Sequence, residues 1–355
     1  MSLKIIIKAS YLMPAFLAEN NDSHDLGQLT MCSRVGRRHF LFSRFFGLLS
    51  LCLLVSAHQM HVQASQFDEK VMPNPSSLLA GIDKANRSSS FRGLLTYEAN
   101  GYINTIRLVQ TVTDKTISQY LKFLDGPKRQ VLRQKILSDC NKNLPKWQLW
   151  PRNIELEKLS KVYDIAANGV ERVADREAYI INVTPHDDHR YGYRFSIDSE
   201  TGLLLKTLFI INKKVIERLQ FVELLLHAEG GSDLTDIVDA ETSDQPLTVS
   251  TSQPCKSNKS NSDWNATWLP KGFFSVGNRL TDHGEQALIF SDGLATLSIF
   301  IIDKYKFIAK ATARYGATAA VIAPLNGTEK KYMVIVVGEV PVATAQQVAA
   351  SVRAQ

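Results

Sequence analysis

Residues 186–189, His-Asp-Asp-His, form the one local cluster in the sequence whose side chains could do chemistry together. Two imidazoles and two carboxylates are groups that zinc accepts, so an enzyme that uses His186 and His189 as metal ligands is one hypothesis. Four adjacent residues surround a single ion poorly, and aspartates in turns commonly bond to nearby backbone groups. We therefore interpret the cluster as a polar turn between two strands and predict no metal site.

Recognisable catalytic motifs do not occur elsewhere in the sequence. It contains no nucleophile elbow, no phosphate-binding glycine loop and no dinucleotide fingerprint. His227 and His283 have no partner nearby in the sequence and are expected at the surface. The sequence accordingly predicts no catalytic residue and no cofactor, and it favours a protein that binds rather than one that catalyses.

Residues 190–194 alternate charged and aromatic side chains along a predicted strand. Arg190 and Arg194 could meet an acidic partner or a phosphate, because guanidinium groups bind such oxygens in a bidentate manner. Alternatively, Tyr191 and Tyr193 pack on one face of the strand while the arginines point to the other face. Both interpretations stay open, and Arg190 and Arg194 are the candidate partner-binding residues.

Apolar residues on several predicted strands could line a lipid-sized cavity, or they could fill an ordinary core. An antiparallel sheet that curls around a helix offers a pocket of this kind at its mouth. The candidates for lining such a cavity are Leu94, Ile106, Leu108, Leu121, Phe123, Phe195, Leu204 and Leu208.

A targeting segment near the amino terminus indicates export. Four arginines between residues 34 and 44 precede an apolar run at residues 45–57, and small residues at Val62 and Ala64 suit a signal peptidase. The apolar run is shorter than the roughly 20 residues that a membrane-spanning helix needs. We predict cleavage after Ala64 and a periplasmic location.

The start of the chain leaves several alternatives. Residues 31–64 are the predicted signal peptide, so residues 1–30 are expected to be an upstream extension that is not native. Arg37 and Arg38 also resemble a twin-arginine export signal. An uncleaved membrane anchor is the remaining alternative, since the apolar run could be lengthened by tilting or snorkelling.

Cysteine use fits an oxidising compartment. Cys32 and Cys52 lie in the removable segment, which leaves Cys140 and Cys255 in the mature chain. A pair of cysteines in such a compartment can form a disulfide. A bridge between Cys140 and Cys255 is a candidate, and two unpaired thiols are the alternative.

Charge and composition exclude a nucleic-acid partner. The 355 residues carry a formal net charge of +6, and 45% of them are hydrophobic. Residues 1–64 contain six basic and three acidic side chains, so half of the net positive charge is lost when this segment is removed. The remainder is spread along the chain without a basic patch or a recognition module.

Two domains follow the targeting segment. In residues 65–229 a helix opens at Asn74 and Pro75, and alternating strands then build one long antiparallel sheet, with a turn at Asn100-Gly101 and a short helix at residues 156–166. Residues 230–263 have the polar composition of a linker. Residues 264–355 predict a small α+β domain, which is a sheet covered by a carboxyl-terminal helix.

The order of short motifs in both domains resembles the RseB/MucB family of periplasmic sigma-E regulators. The resemblance covers nearly the whole mature chain, although each motif alone is weak. Asp175 and His186 depart from the family pattern, which puts contacts at those positions in doubt. The motifs are residues 91–97, 124–131, 172–178, 190–194, 198–203, 268–273, 290–294 and 338–341.

The resemblance implies an α+β fold, with a large half-open antiparallel barrel over helices, similar to LolA and LolB, and a small carboxyl-terminal domain. It implies binding to the periplasmic part of an anti-sigma factor of the RseA/MucA type and protection of that part from proteolysis, with lipid or lipopolysaccharide relieving the protection. A lipid or lipoprotein carrier is the alternative function. The oligomeric state stays open, and a homo-oligomer is allowed.

Overall fold

A computed structural model of the chain describes residues 72–114, 116–136, 155–227, 247–252, 262–281, 285–303, 310–325 and 332–355. All of these residues belong to one compact unit. The predicted signal peptide, the upstream extension and both mature cysteines lie outside the described residues, so these predictions remain predictions.

The first described element is helix α1 (Pro75–Ser88). Asn74 caps it, because its Oδ1 accepts hydrogen bonds from the backbone N–H of Ser76 at 2.9 Å and of Ser77 at 3.4 Å. Pro75 occupies the first turn, where its missing N–H costs nothing. Leu79 and Ile82 lie on the buried side of the helix and anchor it in the core.

A ten-stranded sheet packs against this helix. Its strand order is β10-β4-β3-β2-β1-β9-β8-β7-β6-β5, and the two end strands do not pair with each other in the described part of the chain, so the sheet is open. The strands are β1 (Ser90–Ala99), β2 (Tyr102–Val112), β3 (Thr116–Phe123), β4 (Arg129–Ile136), β5 (Tyr163–Val173), β6 (Arg176–Pro185), β7 (Gly192–Asp198), β8 (Leu204–Ile211), β9 (Lys214–His227) and β10 (Leu247–Ser252).

The predicted hairpin at Asn100-Gly101 is confirmed. Both residues have positive φ, 52° and 79°, as a two-residue hairpin turn of this type requires. Asn212 and Lys213 make the same kind of turn between β8 and β9, with φ of 48° and 63°. Tight turns therefore join neighbouring strands and fix their register.

The short helix predicted at residues 156–166 is wrong at its carboxyl end. Helix α2 covers only Leu156–Leu159, and β5 begins at Tyr163. β5 is an edge strand with a register shift between Ala167 and Val170, near Gly169 at φ 85°. The bulge interrupts the apolar alternation that would otherwise have indicated a strand.

The predicted linker contains a strand. β10 lies within residues 230–263 and pairs with β4 in parallel, with Ser250 opposite Arg133. A parallel partner distant in the chain leaves no local signal in a polar sequence, so the composition alone indicated only a linker. Residues 230–246 and 253–261 of the predicted linker lie outside the described residues.

The second domain has a sheet of six strands with one helix on it. The sheet order is β12-β13-β14-β17-β16-β15, and β11 pairs separately with β18. Val348 and Val352 pack with the strands' apolar side chains in one core. The elements are β11 (Trp264–Ala266), β12 (Phe274–Leu280), β13 (Gln286–Ser291), β14 (Thr296–Asp303), β15 (Ala311–Tyr315), β16 (Thr318–Pro324), β17 (Tyr332–Gly338), α3 (Val342–Ser351) and β18 (Val352–Ala354).

The predicted fold class is confirmed. The first domain is a mostly antiparallel, open sheet with few helices, and the second domain is a smaller α+β unit. The core of the first domain also includes Leu294, Tyr315, Ala317 and Ala320 from the second. The two sheets therefore share buried apolar surface.

Candidate binding site

Six of the eight cavity candidates share one face of the large sheet, the face that packs against α1. Ile106 pairs with Phe123 and Leu108 pairs with Leu121 across β2 and β3, so these side chains point the same way. Four of the six have no exposed surface, and Phe195 is 1% exposed. They form a packed core, which an acyl chain could enter only by displacing side chains. The six are Ile106, Leu108, Leu121, Phe123, Phe195 and Leu204.

The other two candidates lie on the opposite face. Leu94 pairs with Arg107, whereas its neighbour Leu95 pairs with Ile106 on the core face. Leu208 pairs with Arg194 of β7. Because Leu94 and Leu95 are both apolar, the sequence pattern could not show which of them faces the core.

A row of buried polar side chains continues the core face beyond its apolar part. The Gln119 amide donates to Gln110 Oε1 at 2.7 Å, and the Gln110 amide donates to the Asn86 carbonyl at 2.8 Å. Arg133 pairs in register with Gln119 and is buried. Burial lowers the pKa of Arg133 to about 10, so the guanidinium stays protonated at neutral pH.

Arg190 is the centre of a contact between the two domains, which we call the interdomain joint: Tyr163, Asp187, Arg190, Lys271 and Asp292. Its Nε and Nη2 donate to the two carboxylate oxygens of Asp187, both at 3.0 Å. Its Nη1 donates to Asp292 Oδ2 of the second domain at 2.8 Å, and Nη2 also donates to the Lys271 carbonyl. The guanidinium has no exposed surface, so in this structure its contacts are within the chain and it is not accessible to another protein.

Asp292 is the acidic residue that the second domain contributes to the joint. Its Oδ2 also accepts the Tyr163 hydroxyl at 2.9 Å, and its Oδ1 accepts the backbone N–H groups of Leu294 and Ala295 at 3.0 and 2.8 Å. Burial raises the pKa of Asp292, and the charge of Arg190 opposes this effect. Burial likewise raises the pKa of Tyr163, which keeps its hydroxyl protonated as a donor. Asp292 is therefore bonded from both domains.

Asp187 completes the joint from the first domain. Burial alone would raise the pKa of this carboxyl, but the hydrogen bonds and charge of Arg190 outweigh burial, so the pKa is lowered. A carboxylate held in this way stays ionised near neutral pH and balances the buried guanidinium.

A second polar contact joins the domains at another turn. Buried Glu217 accepts the Ala317 backbone N–H through Oε2 at 2.8 Å. Gly316 has φ 56°, and a Cβ built there would overlap Glu217 Oε2 and lie 3.1 Å from Ala99 Cβ. Only glycine therefore fits between the two sheets at this point.

Aromatic rings pack beside this second contact. The rings of Tyr97 and Tyr315 stack with centroids 6.2 Å apart. Burial, with the nearby charge of Glu217, raises the pKa of Tyr97. The pair joins a strand of the first sheet to a strand of the second.

Arg194 lies on the opposite face of β7 from Tyr193, as the structural interpretation of residues 190–194 expects. It is half-buried, and its Nε donates to Asn182 Oδ1 at 2.9 Å. Lys206 and Ser196 of the same face both bond to Glu171. The structure therefore separates the two candidate arginines: Arg190 lies between the domains and Arg194 on the outer face of the sheet.

The four residues at 186–189 do not converge on one point. His186 Nε2 lies 2.9 Å from Asp164 Oδ1, and Asp187 is bonded to Arg190. The His189 ring packs edge-on against Trp268 of the second domain, with centroids 5.2 Å apart. Within the described ranges, no group of three or more His, Cys, Asp or Glu side chains could hold a metal ion.

The sequence missed most of the joint. Arg190 was recognised, but its partner Asp292 lies 102 positions away and was noted only as part of the motif at residues 290–294. Glu217 did offer a signal, because it occupies the same strand face as buried Leu219 and Phe221. An acidic residue on an apolar face suggests a buried partner. Nothing in the sequence identified that partner as a glycine turn.

No helix in the described part of the chain is long and apolar enough to cross a membrane. The fold and the joint define a class: a two-domain sheet protein in which a large open sheet around a helix is fixed to a small α+β domain by buried charges. Family models extend this description. Residues 74–247 match the MucB/RseB N-terminal domain and residues 258–353 match the MucB/RseB C-terminal domain. The chain belongs to the MucB/RseB family.

Relatives in two bacteria support this assignment. The chain is 33% identical over 321 residues to the sigma factor AlgU regulatory protein MucB of Pseudomonas aeruginosa, which covers 85% of this chain and 96% of that protein. It is 27% identical over 332 residues to the sigma-E factor regulatory protein RseB of Haemophilus influenzae, covering 87% and 97%. The similarity therefore spans both domains.

Solved structures agree. The crystal structure of MucB in complex with MucA(peri) superposes with a TM-score of 0.61 at 29% identity, covering 79% of this chain and 99% of that one. The Pseudomonas aeruginosa MucA/MucB complex gives 0.60 at 32% identity, covering 79% and 99%. These similarities show the same fold across the full length of the solved MucB chains.

Proposed function

We propose that this chain binds the periplasmic segment of an anti-sigma factor of the RseA/MucA type and protects it from proteolysis. It would thereby act as a negative regulator of a sigma-E envelope stress response, by binding and not by catalysis. The observation that carries the proposal is the similarity to MucB over both domains, including MucB chains solved together with MucA.

The place of action that we propose is the periplasm. The predicted signal peptide at residues 31–64 supports export, and the solved MucB is paired with a MucA segment marked as periplasmic. Mass spectrometry of the chain recovered from the periplasm tests this part: an amino terminus at Ser65 is expected, and retention of residues 45–57 would contradict cleavage.

Protection from proteolysis is the most direct functional test. The periplasmic segment of the cognate anti-sigma factor is incubated with its protease, with and without the purified chain. We expect slower cleavage at stoichiometric amounts of the chain and capture of the segment in a pull-down. The cytoplasmic segment of the same anti-sigma factor is the control and should be neither captured nor protected. An unchanged cleavage rate together with no capture would refute the proposal.

Arg194 remains the candidate partner contact from the sequence, because it lies on the outer face of the sheet. Arg194→Ala should weaken capture of the segment by about tenfold, because the charge-assisted hydrogen bonds from the guanidinium to a carboxylate of the segment would be lost. Arg172→Ala on β5 is the matched control, since Arg172 is exposed and pairs with nearby Asp175 in its own hairpin. Equal capture by both variants would remove Arg194 from the partner interface.

Lipid or lipopolysaccharide sensing is the second part of the proposal. The six apolar side chains on the core face support it, and the buried row that ends at Arg133 supplies polar groups beside them. An acyl chain would have to displace side chains that pack around α1, so lipid binding would change the conformation of the first domain. Addition of lipopolysaccharide should then restore cleavage of the protected segment. Transfer of acyl chains between membranes without capture of the segment would favour the carrier function instead.

A further inference from the structure

Three hairpin turns of the large sheet lie side by side at one end. They connect β1 to β2, β3 to β4 and β8 to β9, and these strands are neighbours in the order β4-β3-β2-β1-β9-β8. The register places the turns together, since Ala99 pairs with Tyr102 on one side and with Glu217 on the other. We call residues 100–103, 124–129 and 212–215 the turn rim.

Large apolar side chains of the turn rim are exposed. Tyr102 is 69% exposed and Ile103 is 63% exposed, on the first residues of β2. Leu124 is 42% exposed and Val215 is 46% exposed, one from each of the other two turns. Single exposed apolar residues are ordinary, but four on adjacent turns form a patch that needs an explanation.

Basic side chains flank this patch. The turn rim contains Lys128, Arg129, Lys213 and Lys214, against Asp125 as its acidic residue. Asp125 is engaged locally, because its carboxylate accepts the Thr105 backbone N–H. The rim therefore combines protruding apolar groups with a positive surplus.

The turns that carry these side chains are tight. Asn100, Gly101, Asn212 and Lys213 form the two two-residue turns, and all four have positive φ, as this type of turn requires. Gly126, in the five-residue connection between β3 and β4, also has positive φ. A rigid tip loses little conformational entropy when it docks, so its apolar side chains contribute more of their burial to binding. The rim is pre-organised for contact with an extended surface.

We propose that the turn rim docks on the surface of an anionic phospholipid bilayer. Apolar and aromatic side chains suit the interfacial layer, and lysines beside them suit acidic head groups. The apolar groups protrude from separate tips rather than line a groove, which fits a fluid surface better than a shaped protein ligand. Docking by this rim is independent of anti-sigma binding and would hold the chain at the membrane face.

Co-sedimentation with lipid vesicles tests the proposal. The exported chain, with its amino terminus determined by mass spectrometry, is mixed with vesicles of phosphatidylcholine alone or containing about one third phosphatidylglycerol. We expect binding to the anionic vesicles that weakens as salt is raised and little binding to the neutral ones. Lys213→Ser with Lys214→Ser should reduce the partition coefficient about 25-fold, from about fivefold for each lysine near an anionic surface.

Apolar variants separate the rim from the rest of the surface. Tyr102→Ser with Ile103→Ser should reduce binding by at least about tenfold. Val170→Ser is the matched control, because Val170 is 53% exposed on the edge strand β5, outside the rim. This control should bind as the unaltered chain does.

Quenching by brominated lipids gives a second readout, which reports how close a given side chain lies to the acyl chains when the chain is bound. The chain has four tryptophans of its own, so each variant is compared with the unaltered chain. Tyr102→Trp should add fluorescence that is quenched on anionic vesicles, and Val170→Trp should add fluorescence that is not. Absence of vesicle binding, equal binding to neutral vesicles, or rim variants that bind normally would each overturn the proposal. Loss of anti-sigma capture with vesicle binding unchanged would also overturn it, because the rim would then be a protein interface.

Discussion

The interdomain joint and the turn rim both depart from the usual distribution of residues, in opposite directions. The joint buries charges: Arg190 and Asp292 have side chains with no exposed surface. The rim exposes apolar groups, with Tyr102 and Ile103 the clearest cases. Proteins normally place charge outside and apolar groups inside, so both regions need a reason.

The difference lies in where the partners are. Each of the three guanidinium nitrogens of Arg190 donates to an oxygen of its own chain, so the joint forms without any other molecule. The apolar side chains of the rim have solvent around them, so their complement must come from outside. The buried charges of the joint therefore hold the two domains of the chain together, whereas the exposed apolar residues of the rim indicate a binding surface for another molecule.

The largest expected effect comes from removing the acidic partner in the joint. Asp292→Ala leaves Arg190 buried with one carboxylate fewer and removes the acceptor of two backbone N–H groups. We expect the free energy of unfolding to fall by about 3 kcal/mol or more. Urea unfolding measures it. Asp188→Ala, an exposed aspartate in the neighbouring turn, is the control and should change stability little. A small loss for Asp292→Ala would show that the joint is not a strong contact.

The second contact between the domains can be broken by a single methyl group. Gly316→Ala adds a Cβ that overlaps Glu217 and also imposes positive φ on alanine. We expect a loss of about 2 kcal/mol in thermal or urea unfolding. Gly101→Ala separates the two causes, since Gly101 has φ 79° and no atom within 4 Å of the added Cβ. Equal losses for both variants would mean that crowding against Glu217 at this second contact is unimportant.

Acid should weaken the joint through Asp187. Its folded pKa is lowered below the ordinary value of 3.8, so its stabilising contribution is complete well above pH 3.8 and is lost as pH falls through the folded pKa. Asp187→Asn should remove about 1 kcal/mol of stability at neutral pH and flatten the acid limb of the stability profile. The measurement is urea unfolding from neutral to acidic pH. An unchanged acid limb would contradict the assignment.

The smallest effect on stability is expected in the rim. Ile103→Ser should change the free energy of unfolding by less than about 0.5 kcal/mol, because its side chain contacts solvent. Urea unfolding of Ile103→Ser, measured under the same conditions as that of Asp292→Ala, compares the two regions directly. A loss as large as that of Asp292→Ala would mean that Ile103 is packed and that the rim is part of the core.

Local patterns predicted most of the fold. Alternating apolar residues and turn residues such as Asn100-Gly101 define strands within a few positions, because hairpins are local. β5 was misassigned in part because its bulge near Gly169 breaks the alternation, and β10 was missed because its parallel partner is distant in the chain. Arg190 was visible, but whether it faced a partner or the core depended on Asp292, which only the packing of two domains brings near.

A double-mutant cycle between Arg190 and Asp292 tests most directly whether the buried charges are satisfied across the two domains. Unfolding free energies are measured for the unaltered chain, Arg190→Met, Asp292→Ala and the double variant. We expect a coupling energy of about 2 kcal/mol, with the double variant less destabilised than the sum of the single ones. Additive losses within about 0.5 kcal/mol would contradict the claim, because the two side chains would then stabilise the chain independently.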